Sequence, residues 1–191
     1  MDKTENPQVI FETERLRVRA LTQADFDNLC TILQDAEAMY AYEHAFSDQE
    51  VQEWLERQLQ RYEKDGMGLW AVHLKADGTF IGQAGLTMQQ CDGEELPEIG
   101  YLFRRDYWHQ GYAAEFAVAC RDYAFDVLGI PVVYSIIRDS NLPSKKVAEK
   151  NSMHVVKRIT KYYYNMEMPH DVYAVSRQAL RQKTKQEAKQ E

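Results

Sequence analysis

Between a strand-like stretch and a helix-like stretch, the run Trp108-His109-Gln110-Gly111-Tyr112-Ala113-Ala114-Glu115 offers a place to hold phosphate. The first N–H groups of a helix have no intrahelical acceptor and sit at the positive end of its dipole, which suits an anion. Gly111 lets the backbone approach closely, and Ala113 and Ala114 keep the helix start narrow. The same residues also serve a purely structural reading, in which Gly111 makes a tight turn and the alanines only pack. A short glycine-containing run does not decide between the two. The run is neither the Gly-x-Gly-x-x-Gly of dinucleotide folds nor the lysine-bearing loop of nucleoside triphosphatases.

The elements around this run must position it. Leu16 to Leu21 alternates apolar residues with arginines, which predicts a strand with one wet face. Thr22 and Asp25, then Ser47 and Glu50, read as helix starts, each followed by apolar residues at helical spacing. The second helix should stop near Gly66. Three strands follow, about 69–75, 79–89 and 95–103, joined at Asp77-Gly78 and at Cys91-Asp92-Gly93-Glu94 as an antiparallel meander. A helix with Phe116, Cys120, Tyr123, Ala124, Val127 and Leu128 on one face is closed by Gly129 and Pro131. Val132 to Ile137 reads as a central strand, and Asp139 to Ser144 as a loop opening a short helix that ends near Asn151. Residues 155–164 and 171–177 form a final hairpin joined by Met168-Pro169-His170. This order predicts an α+β fold with a mixed, mostly antiparallel sheet flanked by helices. A single domain over residues 1–180 is expected, with a solvated charged tail over 181–191.

The 191 residues are 45% hydrophobic and 28% charged, values of a globular chain with a sizeable core rather than a disordered one. A net charge of −7 gives no basic surface for nucleic acid. It is mildly congenial to a cationic substrate, and equally a plain aid to solubility. Three cysteines, Cys30, Cys91 and Cys120, without a Cys-x-x-Cys spacing support neither a disulfide framework nor a zinc site. The five histidines show no paired ligand spacing, so no metal is expected. The polar N-terminus and the lack of a long apolar stretch point to a cytoplasmic protein without a membrane partner. Oligomeric state is not encoded, a homodimer being one assembly open to it.

The stretch Glu98-Ile99-Gly100-Tyr101-Leu102-Phe103, followed by the run at Trp108 to Glu115, resembles the acetyl-CoA motif of the GNAT superfamily of N-acetyltransferases, Gln/Arg-x-x-Gly-x-Gly/Ala. It is most similar to the subgroup of ribosomal-protein N-terminal acetyltransferases, which show Trp-Gly-x-Gly-Tyr-Ala-x-Glu. The resemblance continues at Asn141-Leu142-Pro143-Ser144 and covers about Glu12 to Arg177. It implies the acyl-CoA N-acyltransferase fold, with acetyl-CoA as co-substrate in a cleft where the third meander strand and the strand 132–137 splay apart. Backbone groups of Tyr101, Leu102 and Phe103 would pair with the pantetheine arm. Amides of Gln110, Gly111, Tyr112, Ala113 and Ala114 would hold the pyrophosphate, and Asn141 would bond the pantetheine.

The implied reaction is attack of a neutral amine on a thioester, and an amine with a pKa of about 10.4 must first lose a proton. Glu98 stands where many family members carry the general base; its other reading is a carboxylate facing solvent or pairing with an arginine. The tyrosine that often protonates the departing thiolate is replaced by Ala148. Ser144 is the nearest candidate donor, and a helix cap is its other reading. Ser152 stands where the family usually has glycine. The acceptor would be a primary amine: a protein or peptide N-terminus, a polyamine, an amino acid or an aminated drug. Tyr40, Tyr42, Glu43 and His44, with Tyr162, Tyr163, Tyr164 and His170, lie where acceptors enter in this fold, although tyrosine rows more often pack on sheets. The rival readings are a non-catalytic acyl-CoA-binding module, suggested by Ala148, and an interaction protein whose glycines are structural.

Overall fold

The computed structural model describes residues 7–42, 44–163 and 165–187. Glu43 and Tyr164 lie outside the described residues, as do residues 1–6, the last four residues of the charged tail and the side chain of Tyr163. Among the described residues there are eight strands and five α-helices.

Strands β1 (Val9–Glu12) and β2 (Leu16–Arg19) open the chain. Leu16 and Val18 are fully buried, as the alternation predicts. Strand β1 is an addition to the expected order, since Val9 to Glu12 shows no alternation to mark it. The carboxylate of Asp25 accepts the Thr22 backbone N–H at 2.8 Å and forms a bidentate ion pair with Arg19. A single 3-10 turn then leads into α1 (Phe26–Leu33). Helix α2 (Asp48–Asp65) begins with the expected reciprocal bonds of Ser47 and Glu50 and ends at Gly66 with φ +69°.

The meander is present as β3 (Leu69–Leu74), β4 (Phe80–Cys91) and β5 (Glu94–Phe103). Asp92 and Gly93 both have positive φ, at +51° and +82°, as a two-residue hairpin turn requires. Trp70, Val72 and Leu74 fall on one side of β3, yet Leu69 to Val72 are all buried. Ala71 packs into the core of α1 and α2, and Trp70 meets Phe11 edge-on. Covered on both faces, such a strand reads as a continuous apolar run.

Helix α3 (Tyr112–Asp126) buries Phe116, Cys120 and Ala124. Val127 and Leu128, expected on that face, lie beyond the helix end and are exposed. Strand β6 (Val132–Arg138) precedes α4 (Leu142–Lys150), β7 (His154–Tyr163), β8 (Met166–Ser176) and α5 (Arg177–Glu187). The last hairpin therefore turns after Tyr163, which pairs with Met166, and not at Met168-Pro169-His170. Proline fits inside β8 because β6 ends at the pair Arg138↔His170. Its missing N–H falls where β6 has run out, and its carbonyl accepts the Asp139 N–H at 3.0 Å. Much of the expected tail is helical: Ser176 Oγ accepts the Ala179 N–H, and strong helix formers carry α5 to Glu187 without an apolar stripe.

The strands hydrogen-bond in the order β1-β2-β3-β4-β5-β6-β8-β7; β1 with β2, β2 with β3, β3 with β4, β6 with β8 and β7 with β8 are antiparallel, and β5 with β6 is parallel. The chain divides into two compact units, residues 1–87 with 100–116, and residues 88–99 with 117–191. The first is built on Leu29, Ile32, Leu33, Met39, Val51 and Leu55. The second contains a cluster of Cys91, Leu96, Ile159 and Val172 against Tyr134 and Ile136. The three cysteines are unpaired. Among the described residues no helix is long and apolar enough to cross a membrane.

Two predictions follow from backbone and burial. Ser152 has φ +60°, the left-handed conformation natural to glycine. Ser152→Gly should therefore raise stability by roughly 0.5–1 kcal/mol, read as a higher urea midpoint at unchanged slope. His73 is pushed down to about 4 from 6.5, first by burial and then by the neighbouring Arg19 charge. Between those values the unfolded chain binds the extra proton and the folded chain refuses it, so stability falls as pH falls from 6.5 to about 4. A His73→Gln variant should lose less melting temperature across that window than the wild type; equal losses would remove His73 as the cause.

Candidate active site

In the first unit, the Trp108 to Glu115 run is a sharply folded loop entering α3. His109 and Gly111 both have positive φ, at +60° and +84°. The first backbone bond of this helix runs from the Glu115 N–H to the Gly111 carbonyl, at 3.0 Å. By helix geometry, the amides of Tyr112, Ala113 and Ala114 then have no acceptor in their own helix. Gln110 and Gly111 are exposed, and among the described residues the only atom near a Cβ built on Gly111 is Nη2 of Arg15, at 3.4 Å. Exposed amides at a helix start are groups that can take an anion.

Tyr101 and Leu102 are half-buried, and Phe103 is buried. The Phe103 carbonyl already accepts Trp108 Nε1 at 2.8 Å, so Trp108 ties the strand end to the loop. Trp54, Tyr42 and Phe46 pack edge to face in the same unit, and Trp54 Nε1 donates to Gln83 Oε1 at 2.9 Å. Tyr42 thus serves packing, while Tyr40 remains about half exposed. His44 is bound to Glu50, the capping carboxylate of α2, at 2.8 Å.

In the second unit, Glu98 is half-buried and is the single β5 residue in register with β6, opposite Tyr134. Its Oε1 accepts the Ile136 backbone N–H at 2.8 Å, and Ser135 Oγ donates to the Ile99 carbonyl at 3.0 Å. Side chains here make the bonds that a parallel ladder would make between backbones. Glu98 therefore does not simply face solvent. Asn141 is the cap of α4, its Oδ1 accepting the Ser144 N–H at 3.1 Å. The cap suggested as Ser144's alternative task is thus performed by Asn141. Ala148 is buried at 2% exposure, so its position presents no polar group. Tyr162 is exposed on β7, and His170 lies in β8, its Nδ1 2.7 Å from the Met168 carbonyl.

Sequence reasoning missed Thr13 and Arg15, which bind Glu115, and Asp171, which joins Lys145 of α4 to Arg158 of β7 at 2.7 Å each. These partners lie far apart along the chain, and no local pattern announces them.

Residues 15–154 match the family described as Acetyltransferase (GNAT) domain. The chain belongs to the GNAT acetyltransferases. It is an N-acetyltransferase with acetyl-CoA as its co-substrate. This GNAT chain is 36% identical over 159 residues to YkkB of Bacillus subtilis (strain 168), covering 82% of this chain and 92% of that protein. It is 25% identical over 142 residues to the N-acetyltransferase YnaD of the same organism, covering 74% and 80%. RimL, a ribosomal L7/L12 alpha-N-protein acetyltransferase solved in complex with coenzyme A, shares the fold with a TM-score of 0.72 at 15% identity, over 88% of this chain and 98% of that chain.

Gly111→Asp tests the loop. A side chain there is strained at φ +84° and brings a negative charge against the diphosphate. Coenzyme A affinity measured by calorimetry should fall by roughly a hundredfold or more, about 2.7 kcal/mol or more, with the circular dichroism unchanged. Retained affinity would move the diphosphate elsewhere.

Proposed function

We propose that this GNAT enzyme moves the acetyl group to a primary amine, a peptide N-terminus or a small-molecule amine, by direct attack on the thioester. The observation that carries the reading is Glu98: a half-buried carboxylate held by the Ile136 N–H at the one point where β5 and β6 pair. Anchored through Oε1, the carboxylate is fixed in orientation, as a general base must be.

Acetyl-CoA supplies the activated acetyl group. Amides of Gln110 to Ala114 hold its diphosphate, backbone groups of Tyr101, Leu102 and Phe103 pair with the pantetheine, and Asn141 bonds to it. Glu98 takes the proton from the amine nitrogen, directly or through water, as the N–C bond forms and the C–S bond breaks. A backbone N–H of β5 donates to the acetyl oxygen as charge builds there. The departing sulfur recovers a proton from water, directly or relayed through the Ser144 hydroxyl, which takes a proton from water as it gives its own. Asn141's hold on the α4 cap supports the donor role for Ser144, because the serine is not needed as the cap.

Glu98→Gln keeps an oxygen for the Ile136 N–H and removes the base. Assayed by free-thiol release over a panel of amines and N-terminal peptides, it should lower kcat by about a hundredfold or more, with little change in coenzyme A affinity. An unchanged kcat across pH would eliminate Glu98 as the base, and cofactor binding without turnover on any amine would overturn the acceptor class.

A further inference from the structure

Glu115 closes the loop motif, and the cofactor reading gives it no task. A carboxylate in the first turn of α3 favours the helix but repels an anion arriving at the same helix end. The structure shows how that conflict is relieved. Glu115 Oε1 accepts Thr13 Oγ1 and the Arg15 backbone N–H, and Oε2 accepts Arg15 Nε at 2.6 Å. Burial pushes its pKa up, and the bonds from Thr13 and Arg15 outweigh burial, so the carboxyl stays below its ordinary value.

Arg15 does more than neutralise this charge. Its Nη1 donates to the Gln110 carbonyl at 3.1 Å, and its guanidinium lies over the Tyr112 ring, 4.3 Å from the centroid. Its Nη2 is the atom beside Gly111. One side chain thus touches Gln110, Tyr112 and Glu115, and lies where a side chain on Gly111 would point. In a trans peptide the C=O and the next N–H point in opposite directions. Holding the Gln110 carbonyl toward Arg15 therefore turns the Gly111 N–H away from Arg15.

We propose that Thr13, Arg15 and Glu115 form a strut for the diphosphate loop, with Arg15 as the positioning residue. Arg15 aims the Gly111 amide and cancels a carboxylate that would oppose the anion. The proposal rests on the reading that Gln110 to Ala114 hold the diphosphate.

The test is a cycle of Arg15→Ala, Glu115→Gln and the double variant, with Arg15→Lys as the conservative change. Coenzyme A affinity is measured by calorimetry, acceptor KM at saturating acetyl-CoA, and melting temperature without ligand. Arg15→Ala should weaken coenzyme A by roughly tenfold or more. Adding Glu115→Gln should recover part of that loss, because the unpaired carboxylate is then gone. Arg15→Lys keeps the charge without the fork and should fall between wild type and Arg15→Ala, and acceptor KM should not move. Should Arg15→Ala fail to fold, Arg15→Lys alone decides, with a weakening of a few-fold expected. Wild-type affinity in the variant that decides, no recovery in the double variant, or a loss confined to acceptor KM overturns the strut. Wild-type affinity in Gly111→Asp would instead sink the loop reading itself, so the two failures are distinguishable.

Discussion

Strands β5 and β6 run parallel and share one residue pair, Glu98 with Tyr134. Parallel pairing is regular elsewhere because evenly spaced backbone bonds repeat along it. Here the repeat stops at once, and two side chains continue it, the Glu98 carboxylate to Ile136 and the Ser135 hydroxyl to Ile99. A polar side chain placed on a broken ladder is held by main-chain groups that would otherwise lack partners. That is how an ordinary sheet produces a fixed, half-buried carboxylate. Before β5, the two-residue turn at Asp92-Gly93 sets where the strand starts; after it, Trp108 secures the Phe103 carbonyl and delivers the chain to α3.

Local chemistry was legible wherever a few neighbouring residues decide it. The starts of the first two helices at Thr22/Asp25 and Ser47/Glu50, the end of α2 at Gly66 and the Asp-Gly hairpin all follow from short-range geometry. The misreadings share a cause too. Pro169 resembles a turn residue until the end of β6 is known, because only the neighbouring strand shows that its N–H is dispensable. Strand β1 is four residues long, and α5 has no apolar face, so neither carries a periodic signal.

The candidate site divides along the same line. The glycine and alanines of the loop, the glutamate on β5 and the Asn141 turn were readable because each belongs to a compact motif. What orients them was not. Arg15 and Glu115 are a hundred positions apart, and Glu98 is 38 from its backbone partner. The sequence motif names the groups proposed to meet a ligand, while long-range contacts decide which way those groups face. The local strain is consistent with this division: His109 adopts a left-handed backbone within the loop itself.

The cap at α4 has a further chemical result. Asn141 uses its carbonyl oxygen to receive the Ser144 N–H, and an amide nitrogen could not take that place. That fixes which end of the side chain is oxygen and which is nitrogen, and the nitrogen end can only donate. A group that meets Nδ2 must therefore offer a lone pair, as a carbonyl oxygen does and an N–H does not. A helix cap thereby fixes the polarity of the side chain that forms it.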